Sequence, residues 1–332
     1  MKALVTGATG FIGSTLVREL LKDGAEVKVL IRESSNTKNI DDLEIEKAFG
    51  DVREKDAVKA ALKGCDTLFH AAALYEFWGP SKKDYYDVNV EGTRASLQAA
   101  LEQGIARVVY TSSIASLGMH GSDCPAREDA EFNLWWTGAH YCISKYLGEV
   151  EALKFVKMGL PVVVVNPAFV IGIGDIRPTP TGRIILNILN KKTLGYLDGG
   201  GNYVDVEDVA RGHILAAQKG KIGEKYILGN TNVSFKEFFT IVTETAGLQP
   251  LTMKFPYPAV IAMAYLYSAI AKVTGVPPVI TPAMARVNKS CAYYDSSKAA
   301  EELGLPQTPI KTTVEKAVKW FRENGYVVGD TD

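Results

Sequence analysis

Along the first half of the chain, short β-branched runs alternate strictly with helical stretches, and that alternation leaves few folds open. The strand-like runs are Lys2–Thr6, Glu26–Ile31, Ile45–Phe49, Thr67–His70, Arg107–Ser112 and Val162–Asn166. Helical patterns lie between them, notably over Ile12–Lys22, Lys82–Glu102 and Tyr141–Met158. Repeated βα units predict an α/β fold, a doubly wound parallel sheet with helices on both faces. The apolar run Leu160-Pro161-Val162-Val163-Val164-Val165 is what a strand buried on both faces requires. At 332 residues, 47% of them hydrophobic, the chain has enough apolar material for a sizeable core and about two domains.

The turn after the first strand reads Gly7-Ala8-Thr9-Gly10-Phe11-Ile12-Gly13. Glycines permit a tight turn and close backbone approach. The helix N-terminus offers unpaired N–H groups and a positive dipole end to a pyrophosphate. The spacing is G-x-x-G-x-x-G rather than the commoner G-x-G-x-x-G, because position 9 is threonine. Close strand–helix packing alone would also use glycines, but the strand–turn–helix–strand context points to a Rossmann-type dinucleotide site formed by Gly7, Thr9, Gly10, Phe11, Ile12 and Gly13.

NAD-binding chains of this architecture place an acidic residue about 20 positions further on, against the ribose hydroxyls. Here Arg32 stands there, 19 residues after Gly13. A guanidinium suits a 2′-phosphate, so NADP(H) is the expected cofactor and NAD(H) the alternative; Glu33, directly following, pulls the other way. Asp51-Val52 after the third strand is expected to border the adenine, and Ala71-Ala72-Ala73 after the fourth to let backbone approach the cofactor.

After Asn166-Pro167 the texture becomes irregular, with Pro, Gly and Thr clustered between Ile173 and Gly182 and a Tyr/Pro-rich stretch around 256–282. We therefore divide the chain into a dinucleotide-binding domain at 1–166, with a return segment near 203–218, and a smaller, interleaved, mainly substrate-binding domain at 167–332. The apolar run Ala259–Ala271 spans 13 residues, against about 20 for a membrane-spanning helix, and reads as a buried or lid helix, a membrane-surface helix being the lesser alternative.

The charges nearly cancel, 37 basic against 38 acidic, which gives no electrostatic reason for a nucleic-acid or membrane partner and leaves a small-molecule substrate. The four cysteines are scattered without a C-x-x-C pair, which suits reduced thiols in a cytoplasmic setting. The four histidines show no metal-ligand spacing, so no metal is expected.

Tyr141-Cys142-Ile143-Ser144-Lys145 sets a tyrosine and a lysine at i and i+4, on one helix face. A tyrosine of ordinary pKa near 10 becomes a usable acid/base when a cation lies close. Tyr110-Thr111-Ser112-Ser113 ends the fifth strand at the sheet's carboxyl edge, where α/β ligands bind, and a serine there would donate to a substrate carbonyl. Asn89, in the long preceding helix, reads either as a structural amide or as a bridge between backbone and water.

Taken together, Gly7, Gly10, Gly13, the aspartate after strand three, the alanines after strand four, Asn89, Ser113 and Tyr141-x-x-x-Lys145 resemble the short-chain dehydrogenase/reductases in their extended, epimerase/dehydratase-like form. The resemblance covers nearly the whole chain. In the second half, the stretches at 175–182, 204–210 and 224–229 resemble dihydroflavonol-4-reductase-like enzymes and bacterial hopanoid-associated sugar epimerases. The resemblance implies Tyr141 as acid/base, Lys145 as its electrostatic partner, Ser113 as carbonyl binder, and Thr111, Ser112, Pro167 and Val170 beside the nicotinamide, with Asn89 in the catalytic group. It also implies a homodimer, sealed by the helices Lys82–Glu102 and Tyr141–Met158.

Departures from the family pattern bear on the substrate. Asn166-Pro167 and Ile171-Gly172 follow the reductases rather than the sugar epimerases, and Ile114-Ala115 replace the acidic pair of the sugar dehydratases. Tyr75, Phe77, Trp78, Trp135 and Trp136 either line a pocket for a hydrophobic aldehyde or ketone or simply pack. The leading expectation is an NADPH-dependent carbonyl reductase. The alternatives are a nucleotide-sugar epimerase, whose diphosphate would need Arg177, Arg183 or Arg286, and a dinucleotide-sensing regulator, which would not need the Ser/Tyr/Lys set.

Overall fold

A computed structural model describes residues 1–121 and 124–328. β1 (Lys2–Thr6) leads through the glycine turn into α1 (Phe11–Lys22). β2 (Glu26–Ile31), β3 (Glu46–Phe49), α2 (Lys55–Ala61) and β4 (Thr67–His70) follow. After α3 (Lys82–Tyr86) and α4 (Gly92–Glu102) come β5 (Arg107–Thr111), α5 (His140–Lys157) and β6 (Val162–Pro167). The second half contains β7 (Phe169–Ile171), α6 (Pro180–Leu189), β8 (Gly200–Asp205), α7 (Val206–Lys219), β9 (Lys225–Leu228) and β10 (Thr231–Ser234). It ends with α8 (Phe235–Ala246), α9 (Tyr257–Thr274), α10 (Pro282–Val287) and α11 (Ile310–Glu323).

Seven strands form a parallel sheet in the order β3-β2-β1-β4-β5-β6-β9. Alternation along β1 explains its two covered faces. Ala3 and Val5 pack with Leu16 and Leu20 of α1 and Val209 and Ile214 of α7, while Leu4 packs with Val58, Leu97 and Phe155 of α2, α4 and α5. This is the Rossmann-type fold. The strand order reverses between β1 and β4, which opens a crevice at the carboxyl edge of the sheet.

The main sheet also takes in β9, outside both segments that the sequence reading gave to the first domain. Interleaving is therefore deeper than one returning helix: α7 packs on α1, and β9 then adds a strand beside β6. A second, three-stranded sheet, β10-β8-β7, carries its own core, in which Ile185, Phe238, Val242, Val314 and Phe321 of α6, α8 and α11 pack together.

Two expectations need correction. Lys82–Glu102 is not one regular helix; a single π turn at Asp87–Glu91 separates α3 from α4. The apolar run near Ala259 does form an 18-residue helix, α9, but not a buried one. Val260, Ala264 and Ala271 face inward with Ile261 half-buried beside them, while Tyr265, Leu266, Ile270 and Val273 face out. No helix among the described residues is long and apolar enough to cross a membrane.

Candidate active site

Three elements meet at the sheet's switch point. The turn after β1 is built to admit something against its backbone. Gly7 adopts φ +72°, and a Cβ on it would lie 2.7 Å from the backbone of Ala71 and Ala72. A Cβ on Gly13 would lie 2.1 Å from the carbonyl oxygen of Gly7. Gly10 caps α1 without a side-chain hydrogen bond, so the helix presents its first N–H groups to the crevice. These features fit a dinucleotide pyrophosphate.

A single cleft of about 510 Å3 runs from this turn across the sheet edge. Gly7, Thr9, Gly10, Phe11, Ile12 and Gly13 line it, together with Arg32, Asp51, Val52 and Ala71 to Ala73. Thr111, Ser112, Ser113, Tyr141, Lys145, Pro167 and Val170 line its middle. Beyond β2, Arg32, Ser34 and Ser35 border the cleft, whereas Glu33 does not. Asp51 is gripped by Arg53 at 2.8 and 2.9 Å, and this bond above all holds its carboxyl below the usual range.

At the centre, Tyr141 is buried, and its burial raises the phenol well above its ordinary value; a hydrogen bond with the Ser113 hydroxyl opposes the rise. Ser113 Oγ accepts from the Ala115 N–H at 3.1 Å, so its own proton is directed to the bond with Tyr141 in the cleft. Lys145 lies one turn along α5 and donates to the Thr111 carbonyl at 2.7 Å; burial lowers its pKa to about 8.

The hydroxyls flanking Ser113 are otherwise engaged. Ser112 Oγ donates to Glu149 at 2.6 Å, and Thr111 Oγ1 pairs with His213 Nε2 at 2.9 Å. Glu149, which the sequence reading missed, is a buried carboxylate that also accepts from Ser116 and Asn166, each at 2.7 Å. Asn166 in turn donates to the Ser113 carbonyl at 3.1 Å, so this network fixes the loop that carries Ser113. Glutamate one turn beyond Lys145 was the only signal, and surface helices commonly carry such a residue.

Asn89, expected in the catalytic group, is buried behind the cleft wall. It does not line the cleft. Its amide oxygen accepts from the Leu74 N–H at 2.7 Å, and its nitrogen donates to the Leu74 carbonyl and to Ser144 at 3.2 and 2.9 Å. From the π turn, this side chain ties the loop after β4 to α5.

The aromatic candidates separate in the same way. Tyr75 and Phe77 flank Tyr141, with ring centroids 4.7 and 5.6 Å away, and both line the cleft. Trp78, Trp135 and Trp136 do not. Trp135 packs edge-on against Phe132 and Tyr146 at the surface, and Trp136 is 57% exposed. Arg183 likewise stays outside the cleft lining, paired with Glu76 at 2.9 Å. Sequence reasoning missed Met119, Ile184, Phe235, Met284 and Val287, apolar residues that line the cleft together with the polar Asp175, Arg177 and Asn288.

Glycine cradle, helix terminus and Ser/Tyr/Lys cluster define an extended short-chain dehydrogenase/reductase. Residues 3–229 match the NAD dependent epimerase/dehydratase family, and the chain belongs to it. A Synechocystis protein that carries the provisional name dihydroflavonol 4-reductase is 39% identical over 327 residues, 97% of this chain and 95% of the other. Sterol demethylase protein B of Methylococcus capsulatus is 32% identical over 98% of this chain and 100% of its own. Among solved structures, gox2253 is similar at 38% identity and a TM-score of 0.87, with 98% of this chain and 99% of that one covered.

Proposed function

We propose that the protein is an NADPH-dependent reductase of an apolar aldehyde or ketone. One observation carries this reading: Tyr141, hydrogen-bonded to Ser113, clusters with the rings of Tyr75 and Phe77 in the wall of a largely apolar cleft. The Gly7–Gly13 turn, Ala71–Ala73 and Lys145 would hold the cofactor, which when bound would supply hydride for the carbonyl carbon. Ser113 donates a hydrogen bond to the carbonyl oxygen, and Tyr141 delivers its phenolic proton there, which completes the alcohol. The Lys145 ammonium eases loss of that proton electrostatically. Arg32 would meet the 2′-phosphate of NADPH.

Relatives named for carbonyl reduction support the same chemistry, among them cinnamoyl-CoA reductase 1 of rice at 30% identity over 97% of this chain. A nucleotide-sugar epimerase is the second reading. It draws on likeness to a Pseudomonas aeruginosa structure named as a nucleoside-diphosphate-sugar epimerase, at 26% identity and a TM-score of 0.80. A diphosphate in the substrate half would require cations there. Of the three arginines considered, Arg177 lines the cleft, Arg183 pairs with Glu76, and Arg286 bonds the Thr137 carbonyl and the Tyr265 hydroxyl. An NADPH-oxidation screen over aldehydes, ketones and keto sugars tests the choice. Equimolar NADPH loss with an apolar carbonyl is expected. Epimerisation of a nucleotide sugar without net redox would overturn it.

A further inference from the structure

α9 is packed inside out for a helix of a water-soluble surface. Val260, Ala264 and Ala271 make its inward contacts, and the opposite face presents Tyr265, Leu266, Ile270 and Val273, the last 87% exposed. At 100° per residue, Ala262, Leu266, Ala269 and Val273 form the centre of the outer stripe. Val276 and Val279, each 66% exposed, extend it beyond the helix. A contiguous apolar surface of this kind marks an interaction site rather than ordinary scatter.

Charge distribution says what meets it. From Thr245 to Tyr294 the chain contains no Asp or Glu, although the whole sequence has 38, while Lys254, Lys272, Arg286 and Lys289 all fall in that stretch. The near-zero total charge conceals this local bias. Lys254 pairs with Asp198, but Lys272 and Lys289 form no ion pair among the described residues; Lys289 lies 5.5 Å above the Tyr257 ring. Lys272 sits on the flank of the outer stripe.

The patch is also continuous with the cleft. α10 packs against α9 through Ala285, beside Val260 and Ala264, and Met284 and Val287 of the same short helix line the substrate half. Arg286, between those two, bonds Tyr265 of α9 at 2.5 Å. One helix therefore links the exposed apolar face to the pocket wall.

We infer that α9 and the segment after it dock on an anionic lipid bilayer, with Leu266, Ile270 and Val273 in the acyl boundary and Lys272 at the headgroups. Lying in the interface rather than crossing it agrees with an 18-residue helix that keeps one face on the protein. Docking there would set the cleft mouth next to a membrane-dissolved substrate. The inference is independent of the reductase reading, because vesicle binding is measured without turnover.

The test is co-sedimentation of the full-length protein with vesicles of phosphatidylcholine, alone or mixed with phosphatidylglycerol. The protein should pellet with the mixed vesicles. Leu266→Gln/Ile270→Gln/Val273→Gln should lose at least about tenfold in partitioning, with its melting temperature unchanged because these side chains are solvated in the free protein. Lys272→Glu should lose about fivefold on anionic vesicles alone. A wild type that stays in the supernatant with both vesicles, or a triple glutamine variant that binds as well as wild type, overturns the inference. So does a dimer in light scattering that the triple variant dissolves, which would assign the face to a second copy of the chain.

Discussion

Lys145 donates a hydrogen bond to the carbonyl oxygen of Thr111, 2.7 Å away, from a position that burial has closed to water. Burial lowers its pKa from 10.5 to about 8, while Glu149 pulls the other way. Below about 8 the folded enzyme therefore carries a cation one turn from Tyr141, and above it that cation is lost. On the proposed mechanism, kcat/KM for carbonyl reduction falls as pH rises through about 8. Tyr141 does not cause this limb, since burial holds its phenol well above 10. Stability moves in the opposite direction. Between about 8 and 10.5 the unfolded chain binds a proton that the folded chain does not, so wild type gains stability relative to Lys145→Met across that window. Paired pH–rate and melting profiles check both; a flat rate profile rejects the assignment.

Tyr141→Phe removes the proposed proton donor but keeps the ring packed with Tyr75 and Phe77. Turnover should fall by about 10²–10⁴-fold, the usual contribution of a general acid, with cofactor affinity near wild type. Single-turnover kinetics and cofactor titration separate the two effects. Turnover close to normal on a verified substrate would exclude the role.

Arg32 borders the cleft at the end of β2, with Ser34 and Ser35 beside it. A guanidinium–phosphate contact is worth roughly 1.5–3 kcal/mol, and the side chain's exposure places it at the low end. Arg32→Ala should weaken NADPH binding about tenfold and leave NADH nearly unchanged. Fluorescence titration of both cofactors decides; equal losses would show that Arg32 does not read the 2′-phosphate.

Gly148 of α5 abuts the π turn. A Cβ there would lie 2.4 Å from the Asn89 carbonyl oxygen and 2.6 Å from the Tyr110 hydroxyl. Gly148→Ala should destabilise by about 1–3 kcal/mol, because the helix must retreat from the backbone that Asn89 anchors. Urea denaturation measures it, and an unchanged midpoint would mean that α5 is not held against this turn.

Local rules make much of this protein legible in its amino-acid order alone. Strand runs such as Lys2–Thr6 and Thr67–His70 follow from β-branched patterning between crossovers, and the glycine turn from the conformations that only glycine allows. Tyr141 and Lys145 share a helix face because four residues make about one turn. What lay beyond reach was set by partners far along the chain. Trp135 and Trp136 are as apolar as Tyr75 and Phe77, yet only the latter pair faces the cleft, because the loop after β4 is pinned by Asn89 from another helix. Glu149 becomes a buried anchor only when Ser112, Ser116 and Asn166, remote in sequence, converge on it. α9 has the composition of a core helix, and its exposure was decided by which of its faces the rest of the fold could cover. Short-range geometry is written in adjacent residues, whereas burial is settled by the packing of the whole molecule.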